Sequence, residues 1–157
     1  MLIDHIVEYC DEMYKIYVSS NPCNECNHPN SCRGDCSNCL DEVHFPSQRS
    51  NGRCEYDCEK LLYYYTCKYS HKYCSEIIYS LKEINLDNYP SYNILSLGCG
   101  ATPDLMAFDC LETWRIQGTS EHVRKNIRYR GYDRNNLWKL IHNEIESYTS
   151  VNMDVKC

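Results

Sequence analysis

One segment limits the folds open to this chain more than any other. Residues 93 to 97 read Asn-Ile-Leu-Ser-Leu, a short apolar run typical of a buried strand, and Gly98, Cys99 and Gly100 follow directly. Thr102 is suited to cap a helix, and Pro103 suits the first helical turn. Strand, glycine turn and helix in this order predict the start of a parallel βαβ unit.

The rest of the C-terminal region continues this alternation. The helix is expected to carry Leu105, Met106, Phe108, Leu111 and Trp114 and to end near Gly118, and a second strand is expected at residues 127 to 132. A further helix around residues 137 to 145 and a third strand at residues 150 to 155 complete the order βαβαβ. We therefore predict an α/β fold with an incomplete, Rossmann-like parallel sheet.

The N-terminal half has a different character. Apolar residues at helical spacing predict a helix over residues 2 to 18, and a long helix from about residue 57 to residue 84 is apolar on two faces, as in helices buried between two layers. Between them the periodicity vanishes, and Cys, Asn, Ser, Gly and Pro dominate. The predicted parts are an N-terminal helix (1–20), a cysteine-rich segment (21–58), a long helix and linker (59–91) and a partial Rossmann-like domain (92–157).

The glycine turn and a later acid point to a nucleotide site. The carboxyl end of a first parallel strand and the start of the next helix form a crevice, where glycines let a ligand approach the backbone. Asp133 ends the second predicted strand and faces the same crevice. Its two oxygens can accept hydrogen bonds from both hydroxyls of a ribose.

These residues resemble a known family. Residues 94 to 100 resemble the first motif of class I S-adenosylmethionine-dependent methyltransferases, and residues 129 to 133 resemble the second, within a likeness that covers roughly residues 92 to 155. The resemblance implies a methyltransferase-like protein in which Gly98 and Gly100 contact the amino-acid part of S-adenosylmethionine and Asp133 binds its ribose. It also suggests Asp104 for the methionine ammonium and Asp154 for the adenine.

The sequence departs from the family pattern in three ways. Thr102 stands where the third glycine is usual, which narrows the backbone conformations allowed there. The separation of Gly100 and Asp133 exceeds the roughly 20 residues usual in dinucleotide folds, so an inserted turn or helix is required. At most three strands are predicted before Cys157, and no catalytic motif for methyl transfer is present. We expect the remaining strands to come from a second chain, from self-association or from a longer parent protein, because an exposed sheet edge tends to pair.

Seven cysteines of the N-terminal half have the spacing of metal ligands. Two C-x2-C pairs suit tetrahedral zinc, and the remaining cysteines with His28 or His44 could fill a second site. Ligation energy would also explain how a polar segment stays ordered. The predicted zinc ligands are Cys23, Cys26, Cys32, Cys36, Cys39, Cys54 and Cys58.

Other interpretations of the cysteines stay open. They could be ligand-free thiols, or Cys32, Cys36 and Cys39 could hold an iron–sulfur cluster, since their C-x3-C-x2-C spacing matches that of radical S-adenosylmethionine enzymes. No strand pattern precedes that motif, which favours zinc. Cys67 and Cys74 share a helix face with His71 and could add ligands, but such residues are more often core.

Composition and charge limit the cellular location and the kinds of partner that we expect. The sequence has no apolar run long enough to span a membrane and no basic and then apolar leader, so we expect a cytoplasmic protein without membrane attachment. The formal net charge of −6 argues against binding nucleic acid over the whole surface. Six basic residues around the second strand leave a local nucleic-acid contact open, namely Arg124, Lys125, Arg128, Arg130, Arg134 and Lys139. The 15 tyrosines lie mostly at helical core spacing, which favours packing over base stacking.

Two functions other than an enzyme remain consistent with these patterns. The chain could be a noncatalytic interaction or regulatory module that keeps the half-fold as a scaffold and holds a partner through its zinc segment. It could also be a redox or metal sensor that responds through its thiolates.

Overall fold

The computed structural model describes residues 1–20, 36–45, 56, 58–118 and 123–157. Within these residues the chain forms five α-helices and one sheet of three strands. The helices are α1 (Leu2–Ser20), α2 (Cys36–His44), α3 (Glu59–Leu81), α4 (Pro103–Gly118) and α5 (Lys139–Tyr148). The strands are β1 (Ser91–Leu97), β2 (Asn126–Tyr132) and β3 (Asn152–Lys156), and short 3₁₀ turns cover Leu86–Asn88 and Asn136–Trp138.

The sheet has the order β1-β2-β3, and both pairs of strands are parallel. In register, Leu97 lies opposite Tyr132, and Tyr132 lies opposite Lys156. The carboxyl ends of the three strands are therefore level, with α4 and α5 as the two crossovers. This confirms the predicted α/β class and the βαβαβ order of the C-terminal region.

The two faces of the sheet have different environments. On the inner face Tyr92, Ile127 and Tyr129 are buried beneath the helices, in one core with apolar residues of α1, α3, α4 and α5. The opposite face, which we call the open face, leaves Leu95 and Leu97 66% and 78% exposed. Its strand residues also include Asn93, Arg128, Arg130, Tyr132, Asn152, Asp154 and Lys156. The described chain is thus a two-layer structure with helices on one face of the sheet.

Helix α1 is amphipathic, as predicted. Leu2, Ile6 and Cys10 recur at helical spacing and are at most 1% exposed, while Asp4 and Glu8 on the other side face solvent. The helix packs against α3, α4 and α5 and so covers the layer behind the sheet. Its burial explains why the apolar pattern identified it correctly.

Helix α4 buries Leu105 and Met106, as its apolar pattern predicts, but it also buries polar residues and exposes one predicted core residue. Trp114 is 48% exposed, whereas Asp109 and Glu112 are buried. The Glu112 carboxylate accepts hydrogen bonds from the Tyr92 hydroxyl and from the Arg115 guanidinium. Buried acids that are paired in this way do not register in a hydrophobic pattern.

Helix α2 lies within the segment that was expected to lack periodic structure. Cys36, Cys39 and Leu40 are buried on one side of it, and Leu40 belongs to the same small cluster as Leu61 of α3. Hydrophobic burial therefore holds at least this part of the segment, contrary to expectation. A helix of nine residues with a single buried leucine offers too short an apolar pattern to be detected.

Across the described ranges, no helix has both the length and the apolar character needed to cross a lipid bilayer.

Candidate functional site

A cleft of about 710 Å³ opens at the carboxyl ends of β1 and β2. One wall contains Gly98, Gly100 and Asp133, which are three of the predicted cofactor residues. Tyr56, Tyr65 and residues 134 to 138 also line the cleft. The parallel sheet brings these parts together because its strands end level with one another.

The glycine turn has a strongly constrained backbone. Gly98 and Gly100 have φ angles of 68° and 50°, and Thr102 has a φ of 57°. The amides of Gly98 and Cys99 both donate to the carbonyl oxygen of Tyr132, at 2.7 and 3.1 Å. Thr102 thus adopts the left-handed conformation expected of a third glycine, at a steric cost for a β-branched residue.

Asp133 joins the turn after β1 to the loop after β2. Its Oδ2 accepts the amide of Gly100 at 2.9 Å, and its Oδ1 accepts the amide of Asn135 at 2.9 Å. Each carboxylate oxygen retains further acceptor capacity beyond one such bond. The acid is therefore fixed in orientation and can still accept hydroxyl donors from a ligand.

Two residues after β2 support the glycine turn. His142 of α5 is 3% exposed and lies 2.7 Å, measured from Nε2, from the carbonyl oxygen of Gly100. Because a carbonyl accepts only, Nε2 carries the proton, and burial lowers the pKa of His142, so the ring is held neutral. The ring of Trp138 would lie 3.7 Å from a Cβ at Gly100. The turn is thus held by a hydrogen bond to α5 and by contact with the Trp138 ring.

Aromatic side chains form the far wall of the cleft. The ring centre of Tyr65 lies 5.1 Å from that of Tyr56 and 5.7 Å from that of Trp138. The Tyr56 hydroxyl lies 3.0 Å from His44 Nε2, and burial raises the pKa of Tyr56 to about 12. The wall is therefore uncharged at neutral pH and offers ring surface to a planar or cationic group.

The other two predicted cofactor residues do not line the cleft as it is described. Asp104 accepts the buried Tyr129 hydroxyl at 2.9 Å, and the amide of Leu105 at 2.9 Å. Asp154 lies within β3 on the open face, where its Oδ2 is 3.6 Å from Arg130 Nε. The structure thus brings together three of the five predicted cofactor residues and places these two elsewhere.

Three of the seven predicted zinc ligands lie within the described residues. Cys36 and Cys39 are buried on α2, one helical turn apart, and Cys58 packs against the same cluster just before α3. Cys23, Cys26, Cys32 and Cys54, as well as His28, lie outside the described residues. Among the described residues, no three His, Cys, Asp or Glu side chains form a group that could hold a metal ion.

The cysteines of α3 have core positions. The Cys74 thiol hydrogen-bonds with that of Cys110 on α4, and the Cys67 thiol donates to the Val7 carbonyl oxygen at 3.7 Å, while His71 is exposed. Burial raises the pKa of Cys67 to about 11. The two cysteines serve packing, as expected, whereas His71 does not have the core position expected for it.

The basic residues around β2 do not form one patch. Arg124 pairs with Asp109 at 2.6 Å at the start of β2, and Lys125 donates to the Leu86 carbonyl oxygen at 2.7 Å. Arg134 lies beyond the other end of the strand, in the cleft. Arg128 and Arg130 lie between these ends on the open face, so the cluster that looks compact in sequence is spread along the whole strand.

Several cleft residues escaped the sequence interpretation. Tyr65 and Trp138 lie at helical core spacing, and Tyr56 falls in the segment without periodicity. His142, which contacts the turn, is one polar residue on a helix. Asn135, two residues after Asp133, carried a detectable signal: its side chain accepts the amide of Leu137 at 3.0 Å, the usual behaviour of a residue that starts a helical turn.

No protein-family model, curated protein sequence or solved structure matches this chain. What the cleft binds is therefore inferred from its own residues.

Proposed function

We propose that the cleft binds S-adenosylmethionine and that the chain is a methyltransferase-like protein. The observation that supports this most directly is the Asp133 carboxylate, oriented by the amides of Gly100 and Asn135 at the mouth of the cleft. Its remaining acceptor sites suit the two hydroxyls of a ribose. Nothing lies within 4 Å of the Cβ position at Gly98, which leaves room for the amino-acid part of the ligand beside β1.

The aromatic wall is consistent with this ligand. Tyr56 and Tyr65 line the same cleft as Asp133, together with Trp138, which is 3% exposed. A purine can stack on such rings, and a sulfonium is attracted to their faces. A cleft of about 710 Å³ is within the range usual for sites that bind small organic molecules.

Isothermal titration with S-adenosylmethionine and S-adenosylhomocysteine tests the proposal. Asp133→Ala should abolish saturable binding, and Asp133→Asn, which keeps one acceptor oxygen for the turn, should weaken it. Asp87→Ala is the matched control, because Asp87 is an exposed acid near the amino end of β1. Binding that persists in a folded Asp133→Ala protein would refute the proposed site.

A noncatalytic scaffold is the second candidate. Each oxygen of Asp133 already accepts a backbone amide, so the acid could serve to close the turn and not to bind a ligand. In that case titration of the folded wild type with either compound would release no heat of binding. The Asp133→Ala substitution would then lower only the stability of the protein.

We also propose that the cysteine-rich segment binds structural zinc. Support comes from the two C-x2-C spacings and from the burial of Cys36 and Cys39 beside Cys58 in one cluster. Metal analysis of the purified protein should find zinc, and a chelator should lower the melting temperature. Cys26→Ser should reduce the zinc content, whereas Cys10→Ser, at a buried position on α1 without ligand spacing, should leave it unchanged.

We also propose that a strand from a partner pairs with β1 and extends the methyltransferase-like sheet. The seven residues of β1 include no charged side chain, whereas β3 carries Asp154 and Lys156. Charges on an edge strand oppose pairing with other chains, and β1 lacks this protection. The two exposed leucines of β1 on the open face would be covered by such a partner.

A further inference from the structure

Helix α3 carries a strip of tyrosines that continues outward from the cleft. Tyr65, Tyr69 and Tyr73 are four residues apart and each is half-buried, although their spacing suggested a fully buried stripe. The ring centre of Tyr69 lies 5.1 Å from that of Tyr65 and 5.5 Å from that of Tyr73. Because Tyr65 also lines the cleft, the strip and the cleft form one continuous surface.

The same strip is locally positive in a chain of net charge −6. Lys68 and Lys72 are exposed, with ammonium groups 5.6 Å from the ring centres of Tyr69 and Tyr73. The sequence contains no Asp or Glu from residue 60 to residue 75. The next acid, Glu76, has its carboxylate 3.9 Å from Lys72 Nζ.

We propose that this α3 strip, formed by Tyr65, Lys68, Tyr69, Lys72 and Tyr73, binds a short single-stranded nucleic acid. Aromatic rings stack with any base, and lysines neutralise phosphates, so the two residue types together match the repeating chemistry of such a strand. We propose a single strand and not a duplex, because unpaired bases can stack on the tyrosine rings, whereas the bases of a duplex are already stacked on one another.

This function goes beyond cofactor binding and does not depend on it. The strip adjoins the cleft through Tyr65, so a strand bound along α3 would run toward the carboxyl ends of β1 and β2. If the cleft holds a methyl donor, this places the strand where a methyl acceptor would enter.

Fluorescence anisotropy of labelled oligouridylate and oligothymidylate, about 12 nucleotides long, tests the strip in the full chain without cofactor. The double variant Tyr69→Ala/Tyr73→Ala should weaken binding about fivefold or more, since each base that loses its aromatic partner costs roughly that much at least. Tyr69→Phe/Tyr73→Phe should bind nearly as wild type, because the rings remain. Tyr79→Ala is the matched control: Tyr79 lies on the same helix, is 71% exposed and has Lys82 Nζ 5.0 Å from its ring centre.

The lysines give a second, independent readout. Lys68→Gln/Lys72→Gln should reduce the slope of log Kd against log salt by about 1.4, the value for two phosphate contacts on a single strand. Lys15→Gln on α1, where the lysine is 69% exposed, should leave the slope unchanged.

Three results would overturn the proposal. The first is that folded wild type binds neither oligonucleotide at low salt. The second is that Tyr79→Ala loses as much affinity as Tyr69→Ala/Tyr73→Ala. The third is that the protein binds phosphatidylserine vesicles and not oligonucleotides. Failure of the cofactor proposal would be seen separately, because Asp133→Ala should leave oligonucleotide binding intact. Melting temperatures of all variants show whether a loss of binding reflects unfolding.

Discussion

His142 of α5 donates its Nε2–H to the carbonyl oxygen of Gly100, with 2.7 Å between the two atoms. Asp133 accepts the amide of the same glycine, so both polar groups flanking the Gly100 α-carbon are held by residues that follow β2. The shape of the turn at the end of β1 therefore depends on side chains at least 33 residues later in the chain.

The buried His142 should make the protein less stable in weak acid. Burial lowers its pKa in the folded protein, although Asp133 and Glu146 oppose that shift, so the unfolded chain binds a proton that the native state resists. The stability is present above the unfolded pKa of about 6.5 and should fall by up to about 1.4 kcal/mol per pH unit below it. Urea unfolding at pH 7.5 and 5.5 should show a smaller pH effect in His142→Gln than in wild type. His71→Gln, at an exposed position on α3, should keep the wild-type pH effect.

The backbone strain at Thr102 should be relieved by substitution with glycine. A residue with a side chain at a φ of 57° is strained by about 1 kcal/mol or more, and the Thr102 hydroxyl is buried without a hydrogen-bond partner. Thr102→Gly should therefore be more stable than Thr102→Ala by about 1 kcal/mol, the reverse of their order in a helix. Thermal unfolding of the two variants measures the difference, and an alanine variant of equal or higher stability would show that the turn is not strained.

Glu112 should contribute strongly to stability. Its side chain is 1% exposed and accepts from Tyr92, from Arg115 and from the Lys125 amide at 3.0 Å. Burial raises the pKa of Glu112, but these hydrogen bonds outweigh it and the pKa lies below its ordinary value. Glu112→Gln should lower the free energy of unfolding by about 2–3 kcal/mol at pH 7, because a neutral amide replaces the buried carboxylate that accepts these charge-assisted hydrogen bonds.

The pH dependence of the Glu112 variant provides its control. A carboxylate with a depressed pKa stabilises the fold above its unfolded pKa, and the stability is lost as the pH falls through the folded value. The difference between wild type and Glu112→Gln should thus shrink below about pH 4.5. Glu76→Gln, at an exposed glutamate of α3, should have little effect at either pH.

The uncharged edge of β1 should promote self-association when no other partner is present. Leu95 is 66% exposed, so Leu95→Lys should change the free energy of unfolding by about 0.5 kcal/mol or less. The same variant should reduce concentration-dependent association measured by sedimentation velocity, since charges on edge strands oppose pairing. A wild type that stays monomeric at all concentrations would contradict this expectation.

The sequence by itself determined the elements that have a strong local pattern. The apolar run of β1, the paired glycines and the proline that starts α4 define a strand, a turn and a helix through contacts between near neighbours, and all three were placed within two residues. The position of Asp133 directly after the second strand was predicted for the same reason, because it is a local property of the sequence.

Only the tertiary structure decided which distant residues meet these elements. Tyr65 reaches the cleft because α3 packs in the helical layer behind the sheet, and His142 of α5 reaches the Gly100 carbonyl oxygen from the same layer. No local pattern encodes either contact. Thr102 shows the same principle in the backbone, since its left-handed conformation opposes its own preference and is maintained by the structure around it. Local propensity acts over one or two turns of the chain, whereas the cleft is built from residues as distant in sequence as Tyr56 and Trp138.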